Sequence, residues 1–194
     1  RNRQDPFNFG GFGKVQPYYG RFAEVYAGRD DVKPFIRAYF NAIPSLLSLE
    51  NLSFWEHFHN IAGWNKTHET GWFLCQSRIM LVQERGDDLW LAPFAPREWF
   101  QDGQGITVTG APTRFGRVTY RIRSAVGQDR IEATVQPPAE RMPQRIVLRL
   151  RHPEGKPMKS VQVAGKPYRN FDPGKETVTL TAVSEDSLTV QVQY

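Results

Sequence analysis

The first part of the chain has the hydrophobic spacing of helices. Apolar residues recur at intervals of three and four after Pro17 and again after Pro34, and each proline suits a first helical turn. A third helix is predicted from Thr67 to Val82, where apolar residues lie almost all round the axis. A helix of that kind needs cover on several sides, so we expect it to be buried.

From about residue 88 the period of the pattern changes to two. Apolar and polar residues alternate in 117–123, 131–135, 145–151 and 188–194, with glycine and proline turns between these runs. Seven or eight short strands of an antiparallel β-sandwich are expected, with arginines on the solvent-facing sides. The predicted fold class is α+β, with a helical segment over 1–85 and the sandwich over 86–194.

Composition narrows the classes of protein that fit. The 194 residues are 40% hydrophobic and 23% charged, which excludes a disordered chain. No apolar run approaches the length of about 20 residues that a membrane span needs, so no membrane partner is expected. The net charge of +5 is spread evenly, which argues against nucleic acid as a partner. The single cysteine, Cys75, excludes an internal disulfide and is expected to be an inert buried thiol.

Candidate chemistry is concentrated in residues 51–73. This stretch holds three tryptophans, three histidines and two glutamates. A sugar site needs such a mixture, because an aromatic ring covers the apolar face of a sugar while carboxylates and amides bind its hydroxyls. A structural alternative stays open, in which the aromatic side chains close the end of a helical core.

Single residues in this stretch allow more than one interpretation. Glu56, directly after Trp55, could be a general base that activates water, or a solvated or ion-paired glutamate. Glu69, near a helix start, is explained by the helix dipole alone. His57, His59 and His68 are zinc-ligand types, but no ligand pattern of known spacing completes them. We therefore expect no metal and no cofactor.

These motifs resemble a known family. The Trp55-Glu56 pair, then Asn65 and His68 before a helix, then a β domain, is similar to the C-terminal end of six-hairpin (α/α)6-barrel glycoside hydrolases of the α-L-rhamnosidase type. In that family a Trp-Glu motif carries the general base. The run 88–100 also resembles the first strand and linker of the family's C-terminal domain.

The resemblance implies that the chain is the C-terminal fragment of a bacterial glycoside hydrolase. The enzyme would cleave O-glycosidic bonds of plant or bacterial polysaccharides or oligosaccharides, in the periplasm or outside the cell rather than in the cytoplasm. Glu56 would be catalytic, and the substrate-binding residues would be Trp55, Trp64, Asn65, His68 and Glu69. The alternative is a non-catalytic carbohydrate-binding or structural β-sandwich with a helical extension.

The same resemblance limits what this chain should do alone. It contains about three barrel helices where the family has twelve, and the general acid is absent. We expect no glycosidase activity from the fragment, because hydrolysis needs two carboxyl groups across the scissile bond. Its expected partners are a carbohydrate substrate and either the missing N-terminal part or a second copy of the chain.

Overall fold

The computed structural model describes residue 18 and residues 21–56, 65–181 and 187–194. The contacts divide the chain into two compact units, residues 1–80 and 81–194. Helices occupy the first unit and two larger sheets the second, so the predicted α+β order of helices followed by strands is confirmed.

The first unit contains three helices and a small hairpin. Its elements are α1 (Phe22–Gly28), α2 (Val32–Leu46), β1 (Leu47–Ser48), β2 (Ser53–Phe54) and α3 (Thr67–Leu81). Aromatic rings join them: Tyr39 of α2 stacks on Phe73 of α3 at 6.0 Å, and Phe73 lies 5.0 Å from Phe54 of the hairpin. Large rings bury much apolar area per residue, so these contacts contribute to the local core, which also contains Tyr18, Ala42 and Leu46.

Helix α3 differs from the expectation in which side it buries. Its buried residues are Glu69, Gln76 and Met80, whereas Leu74 is 60% exposed and the Cys75 thiol is also exposed. The predictions of burial on several sides and of a buried Cys75 are therefore wrong for the described residues. The reason is that the neighbouring elements cover one side of the helix, and that side carries polar residues.

The second unit is built from two sheets that share one apolar core. Six antiparallel strands form the first sheet, in the order β10-β9-β13-β7-β6-β5, and five strands form the second, in the order β11-β12-β8-β4-β3. In chain order the strands are β3 (Val82–Arg85), β4 (Asp88–Leu91), β5 (Gly105–Thr113), β6 (Gly116–Ala125), β7 (Arg130–Gln136), β8 (Arg145–Arg149), β9 (Ser160–Val163), β10 (Lys166–Tyr168), β11 (Phe171–Asp172), β12 (Thr177–Thr181) and β13 (Leu188–Gln193).

This sandwich-like arrangement corrects the sequence expectation in two respects. The described residues form eleven strands here, more than the seven or eight expected, because strands such as β10 and β11 are too short to show alternation. The strands are also not all antiparallel, since β4 and β8 run parallel. Between them the chain crosses to the other sheet to form β5, β6 and β7, and a crossover of that length can return a strand in the same direction.

Two arginines of the alternating run lie inside the second unit, although they were expected on a solvated strand face. Arg149 and Arg151 are 2% and 3% exposed. Arg149 donates through Nη1 to the carbonyl of Pro93 at 2.6 Å, and Arg151 donates through Nη1 to that of Ala95 at 3.1 Å. The Arg151 Nε also pairs with Glu176 at 3.1 Å. The guanidinium groups are buried because they satisfy backbone carbonyls that no strand reaches.

We expect Arg149→Met to lower the free energy of unfolding by about 3 kcal/mol, because it leaves the carbonyls of Pro93 and Lys175 without their charged donor. The control is Arg121→Met, an exposed arginine of β6, which should change stability by less than about 0.5 kcal/mol. Urea denaturation measures both. Equal stability of the two variants would contradict the role given to Arg149.

His152 is a buried titratable residue of the second unit. It is 2% exposed, its Nδ1 accepts the backbone N–H of Glu154 at 3.1 Å, and its ring lies 5.0 Å from that of Tyr194. Burial, followed by the nearby Lys156 ammonium, lowers the pKa of His152 from its ordinary 6.5. The unfolded chain therefore binds a proton more readily at this residue than the folded chain does.

We expect the free energy of unfolding to fall as the pH drops below about 6.5, the pKa of an unfolded histidine. In His152→Gln that part of the pH dependence should disappear, because the variant has no imidazole to protonate. Urea denaturation at several pH values between neutrality and mild acid measures the slope. An unchanged slope in the variant would show that other groups cause it.

Candidate functional site

Glu56 lies just beyond the small hairpin of the first unit, where hydrogen bonds hold the backbone. The Trp55 N–H donates to the Leu46 carbonyl at 2.8 Å, and the Lys66 N–H donates to the Phe54 carbonyl at 3.0 Å. These bonds bring the residues around Glu56 next to the start of α3. The Glu56 carboxylate pairs through Oε2 with Lys66 Nζ at 3.0 Å, and its side chain stays 32% exposed. It is therefore held in position and still accessible to water.

The other predicted binding residues of this stretch are distributed around the same helix start. Asn65 is exposed and has a left-handed backbone with φ of 59°, a conformation that asparagine tolerates better than most residues. Trp55 is half-buried. Trp64, and with it His57 and His59, lies outside the described residues. The backbone bond between Lys66 and Phe54 thus brings Asn65 close to Trp55 and Glu56.

His68, Glu69 and Trp72 form a hydrogen-bonded chain in the first turns of α3. The Trp72 Nε1–H donates to His68 Nε2 at 3.0 Å, and His68 Nδ1 lies 2.9 Å from Glu69 Oε1. Trp72 has only a donor, so Nε2 must accept, and in the neutral ring the proton sits on Nδ1. His68 then donates to the Glu69 carboxylate. The Arg21 guanidinium lies over one face of the Trp72 ring, 4.4 Å from the ring centroid.

Glu69 is the most enclosed ionisable group of this unit. It is 0% exposed, and its second oxygen, Oε2, has no hydrogen-bond partner among the described residues. The hydroxyl of Tyr18 is likewise buried and without a partner there. Burial raises the pKa of Tyr18, with further contributions from Tyr39, Glu24 and Glu69. The hydroxyl therefore stays protonated, and it is a donor close to two carboxylates.

Three further residues of this unit were not singled out in the sequence: Tyr18, Glu24 and Gln76. Gln76 Nε2 donates to both carboxylate oxygens of Glu24, at 3.2 and 3.3 Å. Glu69, Gln76 and Met80 are spaced by seven and four residues, the spacing of one helix face. This spacing of polar residues along one helix face was the feature of the sequence that could have indicated a buried polar side of α3. An explanation by the helix dipole does not account for Glu69, because a dipole interaction needs no burial.

Metal binding and membrane insertion receive no support in the described part of the chain. No three residues among its histidines, cysteines, aspartates and glutamates come together as a cluster that could hold a metal ion. No helix there has the length and apolar character of a transmembrane segment.

Comparison with known proteins finds solved structures to which this chain is similar. No family model and no curated protein matches the chain. Among solved structures, it is similar to one described as a glycoside hydrolase, with 11% identity and a TM-score of 0.42, over 87% of this chain and 29% of that one. It is also similar to a GH127 β-arabinofuranosidase, with 12% identity and a TM-score of 0.45, over 89% and 30% of the two chains. The chain thus spans less than a third of either protein.

We expect neutral His68 to carry its proton on Nδ1, because the Trp72 indole donates to Nε2. The ¹⁵N shifts of the imidazole, measured by NMR, distinguish the two tautomers. Trp72→Phe removes the donor and should raise the fraction of the Nε2–H form, while Trp99→Phe, an exposed tryptophan of the second unit, should not. A native ring protonated mainly on Nε2 would show that the hydrogen-bonded chain is absent in solution.

Proposed function

We propose that the chain is the C-terminal part of a glycoside hydrolase, and that Glu56 is its general base. The observation that carries the proposal is the pair of different carboxylates at the start of α3. Glu56 is accessible to water, whereas Glu69 is fully buried and has an oxygen without a partner in the described residues. One carboxylate that reaches water and one enclosed among aromatic residues suit a site where water attacks a sugar.

In the proposed reaction Glu56 accepts a proton from water as the water oxygen attacks the anomeric carbon. The bond between that carbon and the glycosidic oxygen breaks, and the departing oxygen receives a proton from a general acid. That acid belongs to the part of the enzyme that precedes this chain. The Lys66 ammonium, 3.0 Å from Glu56, holds the carboxylate in one orientation.

The remaining residues would bind the sugar. Trp55 and Trp64 would cover its apolar face, and Asn65 would bind a hydroxyl. His68 has both ring nitrogens occupied, by Glu69 and Trp72, so its contribution would be to orient Glu69. The Glu69 Oε2 is buried, so a sugar hydroxyl would bind it only after the side chains that cover it move aside, and would then supply the hydrogen bond that the described residues do not.

The finer form of the proposal is that α1–α3 are the last helices of an (α/α)6 barrel of the α-L-rhamnosidase type, followed by the sandwich. Apolar side chains exposed on these helices support it: Val25 is 48% exposed, Phe40 39% and Leu74 60%. Preceding barrel helices would cover them, and covering apolar surface stabilises the assembly. On its own the fragment would lack turnover.

We expect Glu56→Gln, in the enzyme encoded by the whole reading frame, to lower kcat by about 10² to 10⁴ with little change in KM. A base acts on water in the transition state, so its loss affects the chemical step and spares binding. Steady-state kinetics on aryl glycosides measures this. Glu50→Gln is the matched control, since Glu50 is exposed in the turn between β1 and β2, and it should behave as the native enzyme.

Trp64→Ala should show the opposite pattern, with weaker binding and a smaller effect on the chemical step. If Glu56→Gln retains most of its kcat, Glu56 is not the base and its pairing with Lys66 is structural. If purified fragment turns over aryl glycosides and loses that activity in Glu69→Gln, both carboxylates lie within this chain. The assignment of the acid to the preceding part would then be wrong.

A further inference from the structure

The outward side of the six-stranded sheet carries a polar groove that the proposed hydrolase does not use. It consists of two adjoining depressions, of about 390 and 530 Å³, both lined by Arg121, Arg123 and Glu132. These residues lie on the neighbouring strands β6 and β7, where they alternate with buried residues of the core. The groove therefore lies towards one edge of the sheet, where residues of the edge strand β5 also line it.

The groove has two guanidinium groups without a counter-charge. In the described part of the chain, neither the Arg121 nor the Arg123 side chain makes a hydrogen bond or an ion pair; both residues bond to their neighbours only through the backbone of the sheet. Glu132 stands opposite Arg123 across the strands, but its carboxylate pairs with Arg130 at 3.3 Å. Residues two apart on a strand are about 7 Å apart, so the groove presents two positive groups at that spacing.

Hydroxyl and amide groups surround these cations. Thr107 and Thr134 are the cross-strand neighbours of Arg121, one on each side, and Thr119 and Gln136 line the same depressions. Among the described residues, the one aromatic residue that lines them is Tyr120, whose side chain is buried in the core. A ligand in the groove would meet guanidinium, hydroxyl and amide groups, with no exposed ring to stack on.

We infer that this groove binds an acidic oligosaccharide through the carboxylates of its uronic acid units. Guanidinium groups bind carboxylates through paired hydrogen bonds, and threonine and glutamine suit the sugar hydroxyls. Nucleic acid fits less well, because its single strands bind on exposed aromatic rings and its duplex needs a denser row of cations. The groove lies wholly in the second unit, so a test of this inference does not depend on the role proposed for Glu56.

The test uses the whole chain and a trimer of galacturonic acid, with binding measured by calorimetry. We expect binding that weakens as salt is added, and about a tenfold or greater loss of affinity in Arg121→Gln/Arg123→Gln. The fully methyl-esterified trimer, which has the same sugar without the charge, should not bind. Circular dichroism and thermal melting check that the variant is folded, as expected for exposed residues.

The matched control is Lys166→Gln/Arg169→Gln, which removes two exposed cations and the same net charge in and just after β10, at the opposite edge of the sheet. It should bind the trimer as the native chain does. Equal weakening by the two double variants would mean that overall charge attracts the ligand, and would overturn the site. Absence of binding, or equal binding of the methyl ester, would also overturn it. If a single-stranded oligonucleotide binds more tightly than the trimer, and Arg121→Gln weakens that binding, the ligand of the groove is nucleic acid and the inference is wrong.

Discussion

Residues 92–96 leave the five-stranded sheet and lead to the six-stranded one, and their backbone must be buried on the way. A buried carbonyl without a hydrogen-bond donor lowers the stability of the folded protein. Among the described residues, no backbone N–H of the neighbouring strands donates to the carbonyls of Pro93 and Ala95. Arg149 donates to the Pro93 carbonyl and Arg151 donates to the Ala95 carbonyl. The Glu176 carboxylate neutralises the charge of Arg151. The parallel pairing of β4 with β8 depends on the same arrangement, because β8 carries Arg149 and its neighbour β4 leads into the crossover.

The two kinds of arginine could not be distinguished by the alternation that predicted their strands. Arg121 and Arg149 occupy similar polar positions in runs with the same period, yet one faces solvent and the other is 2% exposed. The difference comes from carbonyl groups more than fifty residues away along the chain, which no local pattern contains. Strands β6, β7, β8 and β13 were predictable because their alternation is long, whereas β10 and β11 contain three and two residues.

A similar limit applies to the candidate site. The helix that begins at Thr67 was predictable from its hydrophobic pattern. That Glu69 is buried was not, because a glutamate in a first helical turn is usually exposed to favour the dipole. Glu69 lies on the same side of α3 as Gln76, which bonds to Glu24, and its charge acts on Tyr18. Tyr18 and Glu24 come from a distant part of the chain, so no local motif contains this arrangement.

The buried Glu69 also bears on whether residues 51–73 form a binding site or aromatic packing that closes the end of the helical core. A plug of aromatic residues needs no carboxylate, and an apolar residue at position 69 would avoid the cost of desolvating a charge. The structure instead surrounds Glu69 with one donor, His68, and orients that donor through Trp72. Its second oxygen and the Tyr18 hydroxyl stay without partners in the described residues. The free protein thus buries a carboxylate that makes a single side-chain hydrogen bond among the described residues, and hydrophobic packing alone gives no reason for it.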